Sequence, residues 1–412
     1  MNRRTFLKAL AAAQAAALLR PSDADASLPS AKITRVRIYR PPNLNPLFNQ
    51  SNMLVTVETD VGLTGIGEGG VKDTLEQCAG TLIGKNPFRI ESIWQEAYIA
   101  WFYPPGREKA HALGALDLAL WDIKGKALGV PVHELLGGVA RDYCECYLTG
   151  GAPPGTSPTA KLSLRERARA TIEAGYRAYR MGAGDVPIGG VYDTRSMVRR
   201  IEQECREARE GVGPDGDWCI DFHQRFDLND AVRCCKAIEP HDPFFVEDPV
   251  RDEHALADIP KLRQMTTVPL THGEEWGLRW DFNRLVESHD VDFIRATLPN
   301  VGGITEMMKV AAICETHAVG IIPHFTGPVA TAALVHCLST FSGRVMLEHY
   351  PGGPPVDYLP EWLDFKNGKA YTNQRPGLGV TADLKRLTQI GEVTEPGRRM
   401  IFRRPDGSLT HW

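Results

Sequence analysis

The sequence has no Cys-x-x-Cys pair, no long basic block and, beyond residue 26, no apolar run long enough to cross a bilayer. Each absence removes a class of protein. The nine cysteines (Cys78, Cys144, Cys146, Cys205, Cys219, Cys234, Cys235, Cys314 and Cys337) show no zinc-ligand spacing. They are odd in number and lie mostly in apolar runs, which argues against a disulfide framework and predicts folding in a reducing compartment. A formal charge of −4, with only short basic pairs such as Arg199-Arg200 and Arg398-Arg399, excludes a nucleic-acid partner. No Gly-rich strand-to-helix turn announces a doubly wound nucleotide-binding sheet. What remains is ordinary: 412 residues, 43% apolar and 24% charged, enough for one large core and a smaller domain.

The N-terminus disagrees with a cytoplasmic address. Arg3-Arg4 is followed by Phe6-Leu7-Lys8, an Ala/Leu stretch from Ala9 to Leu19, and the small-residue pattern Ala24-Asp25-Ala26. This resembles a twin-arginine signal peptide over residues 1–26, so a periplasmic enzyme exported in the folded state is expected. The stretch is too short for a permanent anchor and apolar on all faces, unlike an amphipathic helix.

Lys32–Tyr39 and Asn52–Thr59 alternate apolar and polar residues and read as strands. Gly62, Gly65, Gly67, Gly69 and Gly70 read as a turn-rich segment. From Thr74 to Val130 the periodicity is helical, carried by Ala112, Leu113, Leu116, Ala119, Leu120 and Ile123. Strands followed by helices predict an α+β domain over 30–142. From Tyr143 the texture becomes α/β. Candidate strands are Cys144–Leu148, Ala178–Met181, Trp218–Phe222, Pro243–Val246, Val268–Thr271, Phe293–Ala296, Gly320–Pro323 and Val345–Leu347. Helical patterns lie between them, at Leu164–Ala174, Arg195–Arg209, Leu228–Ile238, Ile304–His317 and Val329–Leu338. Eight strands over 143–350 predict a closed parallel barrel, and the Pro- and Gly-rich tail, 351–412, is expected to return to the small domain.

In such a barrel, functional groups sit at the C-terminal strand ends. Those ends carry Arg180, then Asp221 and His223, Glu247 and Asp248, Glu274 and Glu275, Thr297, His324, and finally Glu348 and His349. A single strand-end carboxylate is usually a solvated turn residue, and Asp248 reads as one. Asp221, Glu247 and Glu274 on successive strands are harder to explain by folding. Converging carboxylates repel, so they call for a cation, and three oxygen ligands with open positions suit one Mg²⁺. Glu275 stands as an alternative to Glu274.

Several segments together carry a resemblance: LGALDLALWDIKGKALGVPVHELLGG (Leu113–Gly138), DFH (Asp221–His223), FFVEDP (Phe244–Pro249), HGEEW (His272–Trp276), VGGITE (Val301–Glu306), PHFTGP (Pro323–Pro328) and PGLGV (Pro376–Val380). The chain resembles the mandelate racemase/muconate lactonizing branch of the enolase superfamily over essentially its whole mature length. The resemblance implies a modified (β/α)₇β barrel capped by the α+β domain. It also implies a small carboxylate substrate, an essential Mg²⁺ that stabilises an enediolate, and a homo-oligomer with no membrane anchor.

The departures narrow the reaction. Racemases of the branch carry Lys-x-Lys at the second strand end, where this chain has Arg180-Met181-Gly182. Many members pair the seventh-strand His with a sixth-strand Asp, here Thr297. The pattern is most similar to the D-mannonate dehydratase subgroup, in which a Tyr paired with the second-strand Arg acts as base; Tyr192 and Arg180 stand at that spacing. An ordinary loop aromatic is the alternative reading of Tyr192. The resemblance makes His223 the general acid and places His324, Arg180 and Glu348 on the substrate, Glu348 donating a hydrogen bond if protonated. Dehydration of a mannonate- or gluconate-like acid sugar is therefore expected. An epimerase or cycloisomerase using His324 as base, or a decayed barrel serving as a binding protein, are the rivals.

Overall fold

Three strands open the fold: β1 (Ile33–Arg40), β2 (Leu54–Thr59) and β3 (Thr64–Glu68). The computed structural model describes residues 28–42, 53–101, 106–149, 161–182, 190–351, 356–397 and 401–410. The leader, most of the Pro42–Asn52 loop, residues 102–105 and residues 183–189 of the Arg180–Tyr192 connection lie outside them. From Ala31 onward the chain forms a single compact unit. The antiparallel sheet of β1–β3 is completed by a strand from the far end of the chain, Thr388–Val393, which pairs with β1. Arg37 on β1 bridges the two flanking strands, reaching Glu58 on one and Glu392, at 3.0 Å, on the other.

The glycine cluster is a strand as well as a turn. Gly62 has the left-handed φ of 80° that a turn needs, but Gly65 and Gly67 lie within β3. A Cβ at Gly67 would stand 1.8 Å from Ala115 O, and one at Gly65 2.0 Å from Ala119 O. These glycines let the sheet lie directly on a helix. The long helical stretch divides into α1 (Lys72–Gly80), α2 (Ile90–Ile99) and α3 (Arg107–Leu128). Two buried carboxylates of α3 staple the unit together. Asp122 accepts from Ile66 N at 3.0 Å and from Leu378 N at 2.8 Å, joining β3 to the PGLGV segment. Asp117 accepts from Thr305 N at 2.9 Å, joining α3 to the barrel.

The barrel strands are β4 (Tyr143–Leu148), β5 (Ala178–Gly182), β6 (Asp217–Asp221), β7 (Phe245–Glu247), β8 (Leu270–His272), β9 (Phe293–Ile294), β10 (Gly320–Ile321) and β11 (Leu347–His349). They pair in parallel in chain order, β11 returns to β4, and an Ile321–Val345 bridge closes the ring. Among the described residues seven α-helices lie between them. Two of them, Ala255–Arg263 and Arg279–Glu287, give weak sequence patterns because they are short, and the first contains Pro260. All nine cysteines are free and buried, and among the described residues no helix is long and apolar enough to cross a membrane.

A buried histidine pair fastens the barrel to the tail. His336 Nε2 donates to Leu378 O at 3.2 Å, which leaves its Nδ1 to accept from His133 Nδ1 at 3.0 Å. Burial lowers His336 to about 4. A histidine depressed in the folded state takes up its proton in the unfolded state first, so stability is lost as pH falls from 6.5 towards 4. This residue alone should cost roughly 2 kcal/mol between pH 7 and pH 5. Urea midpoints across that range should fall, and fall less in His336→Gln. Equal slopes for the two proteins would refute the assignment.

Candidate active site

Side chains alternate along a strand, so residues two apart point the same way. Tyr147, Ala178, Cys219, Phe245, Phe293, Ile322 and Met346 form one buried layer inside the barrel. Two residues further along their strands stand Thr149, Arg180, Asp221, Glu247, Arg295, His324 and Glu348. The same inward phase that packs the apolar layer therefore delivers a ring of polar groups above it. Glu274 joins them after the sharp turn at Gly273, whose φ is 104°.

Carboxylate oxygens of Asp221, Glu247 and Glu274 lie within 4.8 Å of one another. Glu247 is wholly buried and neither of its oxygens makes a hydrogen bond. Burial pushes Glu247 well above the ordinary carboxylate range, with Asp221 and Glu274 adding to the effect against Arg295. Burial, then the charges of Asp248 and Asp221, raise Glu274 to about 8. Oxygen donors in mutual repulsion, one without hydrogen bonds, fit a hard divalent cation. Glu275 is not part of the cluster; it faces outward, 54% exposed, with Arg107 Nη1 at 3.3 Å.

Arg295, which strand-end reading passed over, is at the centre. Fully buried, it reaches Glu247 at 2.7 Å, Glu348 at 2.5 Å and Tyr147 Oη at 2.6 Å, and donates to the carbonyls of Ile322 and Pro323. Burial opposes ionisation of Glu348, but the Arg295 guanidinium overrides it and holds Glu348 well below the usual range. In this setting Glu348 accepts hydrogen bonds as a carboxylate. One of its oxygens accepts from Phe325 N at 3.0 Å. His324 Nε2 lies 3.7 Å from Glu274, and burial lowers its pKa, keeping the ring neutral. Thr297 supports His324 through the backbone, its hydroxyl accepting from His324 N at 2.8 Å.

On the other side, His223 Nε2 lies 2.5 Å from Asp221 and 3.1 Å from Arg180 Nη2, and Arg180 also bonds Asp221. His223, Gln224 and Asp248 have φ of 48°, 57° and 42°. Such conformations cost non-glycine residues about 1 kcal/mol or more each and concentrate at functional sites. Asp248 is more than a turn residue. Its buried carboxylate accepts from Gly273 N at 3.1 Å and faces His272 Nδ1 at 2.9 Å, so one side chain links the turns that carry Glu247 and Glu274.

Tyr192 is not brought to the cluster. It is 44% exposed and packs on Phe226 with ring centroids 6.4 Å apart. Burial and then Asp230 raise its phenol pKa, the reverse of the lowering expected from Arg180. Spacing along the chain had suggested a partnership that the described geometry does not contain.

The chain matches the family description "Mandelate racemase / muconate lactonizing enzyme, N-terminal domain" over residues 36–137, and "Enolase C-terminal domain-like" over 163–386. It is 35% identical over 399 residues to a D-galactonate dehydratase of Xanthomonas oryzae pv. oryzae, covering 92% of this chain and all of that enzyme. A D-galactonate dehydratase of Pectobacterium atrosepticum is 33% identical with the same coverage. Among solved structures, an enolase-superfamily member from Salmonella Typhimurium superposes with a TM-score of 0.80 at 26% identity, covering 88% of this chain and 100% of that one. A mandelate racemase/muconate lactonizing enzyme from Jannaschia gives 0.77 at 28%, covering 86% and 96%. With both domains matched and the strand-end carboxylates in place, the chain belongs to the mandelate racemase/muconate lactonizing branch of the enolase superfamily.

Proposed function

We propose that this protein is a Mg²⁺-dependent acid sugar dehydratase. The observation that carries the reading is a carboxylate triad flanked by two histidines, His223 beside Asp221 and His324 beside Glu274. The names of the D-galactonate dehydratases support it. Asp221, Glu247 and Glu274 would hold the cation, which when bound supplies the localised positive charge that makes a proton α to a carboxylate removable. His324, neutral and enclosed, takes the proton from C2. His223 gives a proton to the C3 hydroxyl, the C3–O bond breaks and water leaves. The enol that results tautomerises to a 2-keto-3-deoxy acid, taking a proton at C3. Arg180 lies against His223 and orients it. Tyr192, expected as the base, is replaced in this role by His324.

A panel of galactonate, mannonate and gluconate with Mg²⁺ tests the reading. His223→Asn and His324→Asn should each lower kcat by at least about a hundredfold, the scale for losing a general acid or base. Tyr192→Phe should stay close to wild type, and product formed in D₂O should carry deuterium at C3. Exchange of the α-proton without loss of water would replace dehydration by the epimerase reading.

The N-terminal pattern supports a second proposal: that residues 1–26 direct twin-arginine export and are removed. N-terminal sequencing of periplasmic protein should begin near Ser27. An intact Met1, found in the cytoplasm alone, would overturn it.

A further inference from the structure

Glu68 ends β3 in the capping domain, yet it contacts the barrel. It is 1% exposed, and its Oε2 accepts from Ala330 N at 3.0 Å in the first turn of the helix Pro328–Thr340. A carboxylate from one domain thus caps a helix of the other. Its Oε1 is buried without a hydrogen-bond partner, and burial raises the group to about 8 against the backbone N–H groups of Ala330 and Val329 at the same helix start. A buried carboxyl so sparsely satisfied costs stability, so packing alone does not account for it. The approach is close: a Cβ at Gly327 would stand 2.2 Å from the Glu68 carboxylate. Gly327 has φ −62° and ψ 161°, a conformation open to any residue, so the neighbouring carboxylate is what requires glycine there.

The loop that enters this helix, 323–327, carries His324. Two supports of that loop come from the barrel: Thr297 Oγ1 under His324 N and Glu348 Oε2 under Phe325 N. Glu68 supplies a third, from outside the barrel. We propose that Glu68 is a positioning residue, through which the capping domain fixes the start of the Pro328–Thr340 helix and hence the placement of His324 over the site. The proposal rests on the reading of His324 as the base.

The experiment compares Glu68→Ala and Gly327→Ala with Glu68→Gln in the full chain. In the first two, amide hydrogen exchange over 323–331 should quicken by about tenfold or more. Their kcat should fall by about tenfold to a hundredfold, the cost of misplacing a reacting group by about 1 Å. KM and the calorimetric Mg²⁺ affinity should stay near wild type. Glu68→Gln should restore both readouts, because its amide oxygen can accept the same bond. If Glu68→Ala does not fold, Gly327→Ala carries the test, since its backbone is unstrained. Wild-type exchange in the folded variants, quickened exchange without a loss of kcat, or failure of Glu68→Gln to rescue would each overturn the proposal. A wild-type protein with no turnover of any acid sugar would instead sink the functional reading, and the exchange measurements would still decide the contact.

Discussion

Glu247→Ala should leave a folded protein without measurable turnover. Glu247 is wholly buried and its main polar partner is Arg295, so its removal withdraws a proposed cation ligand without opening a wider hydrogen-bond network. Losing several kcal/mol of charge stabilisation corresponds to a fall in rate of at least about a thousandfold. The fold should tolerate the change. Burial and two like charges oppose ionisation of Glu247, so its removal relieves an unfavourable charge, while Arg295 keeps Glu348 as a partner. Calorimetric titration with Mg²⁺, read beside thermal unfolding, separates the two effects. Wild-type turnover in this variant would end the metal proposal.

Arg295→Met should damage stability as well as rate. Methionine has about the right length and no charge, so the wholly buried Glu348 and Glu247 would be left facing each other without the guanidinium. Breaking a buried ion pair from one side costs about 3–5 kcal/mol. The pH dependence identifies the cause. In the wild type Glu348 is held below its ordinary pKa, so its contribution is present at neutral pH and is lost as pH falls through the acid range. In the variant, unpaired buried carboxylates have raised pKa values and are relieved by protonation, so the folded state recovers as pH falls. Urea midpoints of the two proteins should therefore converge from pH 8 to pH 5. A gap that does not narrow would mean that lost packing, rather than unpaired charge, explains the instability.

The contrast between Arg295 and the carboxylate trio shows what could be read from the sequence. Asp221, Glu247 and Glu274 were legible because hydrophobic strands ending in carboxylates are unusual and barrel chemistry gathers at strand ends. Arg295 carries a signal too, a charge inside the apolar run Phe293–Ala296, but the strand-end rule points to Thr297 instead. Reading the strand by phase would have found it, since Phe293, Arg295 and Thr297 all face inward. Gly62–Gly70 reads as a turn rather than as β3 because the close approach of α3 that demands Gly65 and Gly67 has no trace along the chain. Of the two readings of Tyr192, the geometry favours the loop aromatic, and spacing could not choose between them, since loop length bounds how far a side chain can reach without saying where it goes. The role of Glu68 was equally hidden, because its partner, Ala330, lies 262 positions away.

The pairing of β1 with Thr388–Val393 gives the molecule an order of assembly. Arg37 and Glu392, which face each other across that pairing, are separated by 355 positions. At about 5–20 residues per second, a ribosome needs roughly 20–70 s to make the chain between them. Throughout that interval β1 has an unpaired edge, with backbone groups open to any passing strand. The barrel can be nearly complete while the sheet at the start of the chain still waits for its last strand. A chaperone that shields the nascent chain would therefore find its longest-lived client surface at the beginning of the protein.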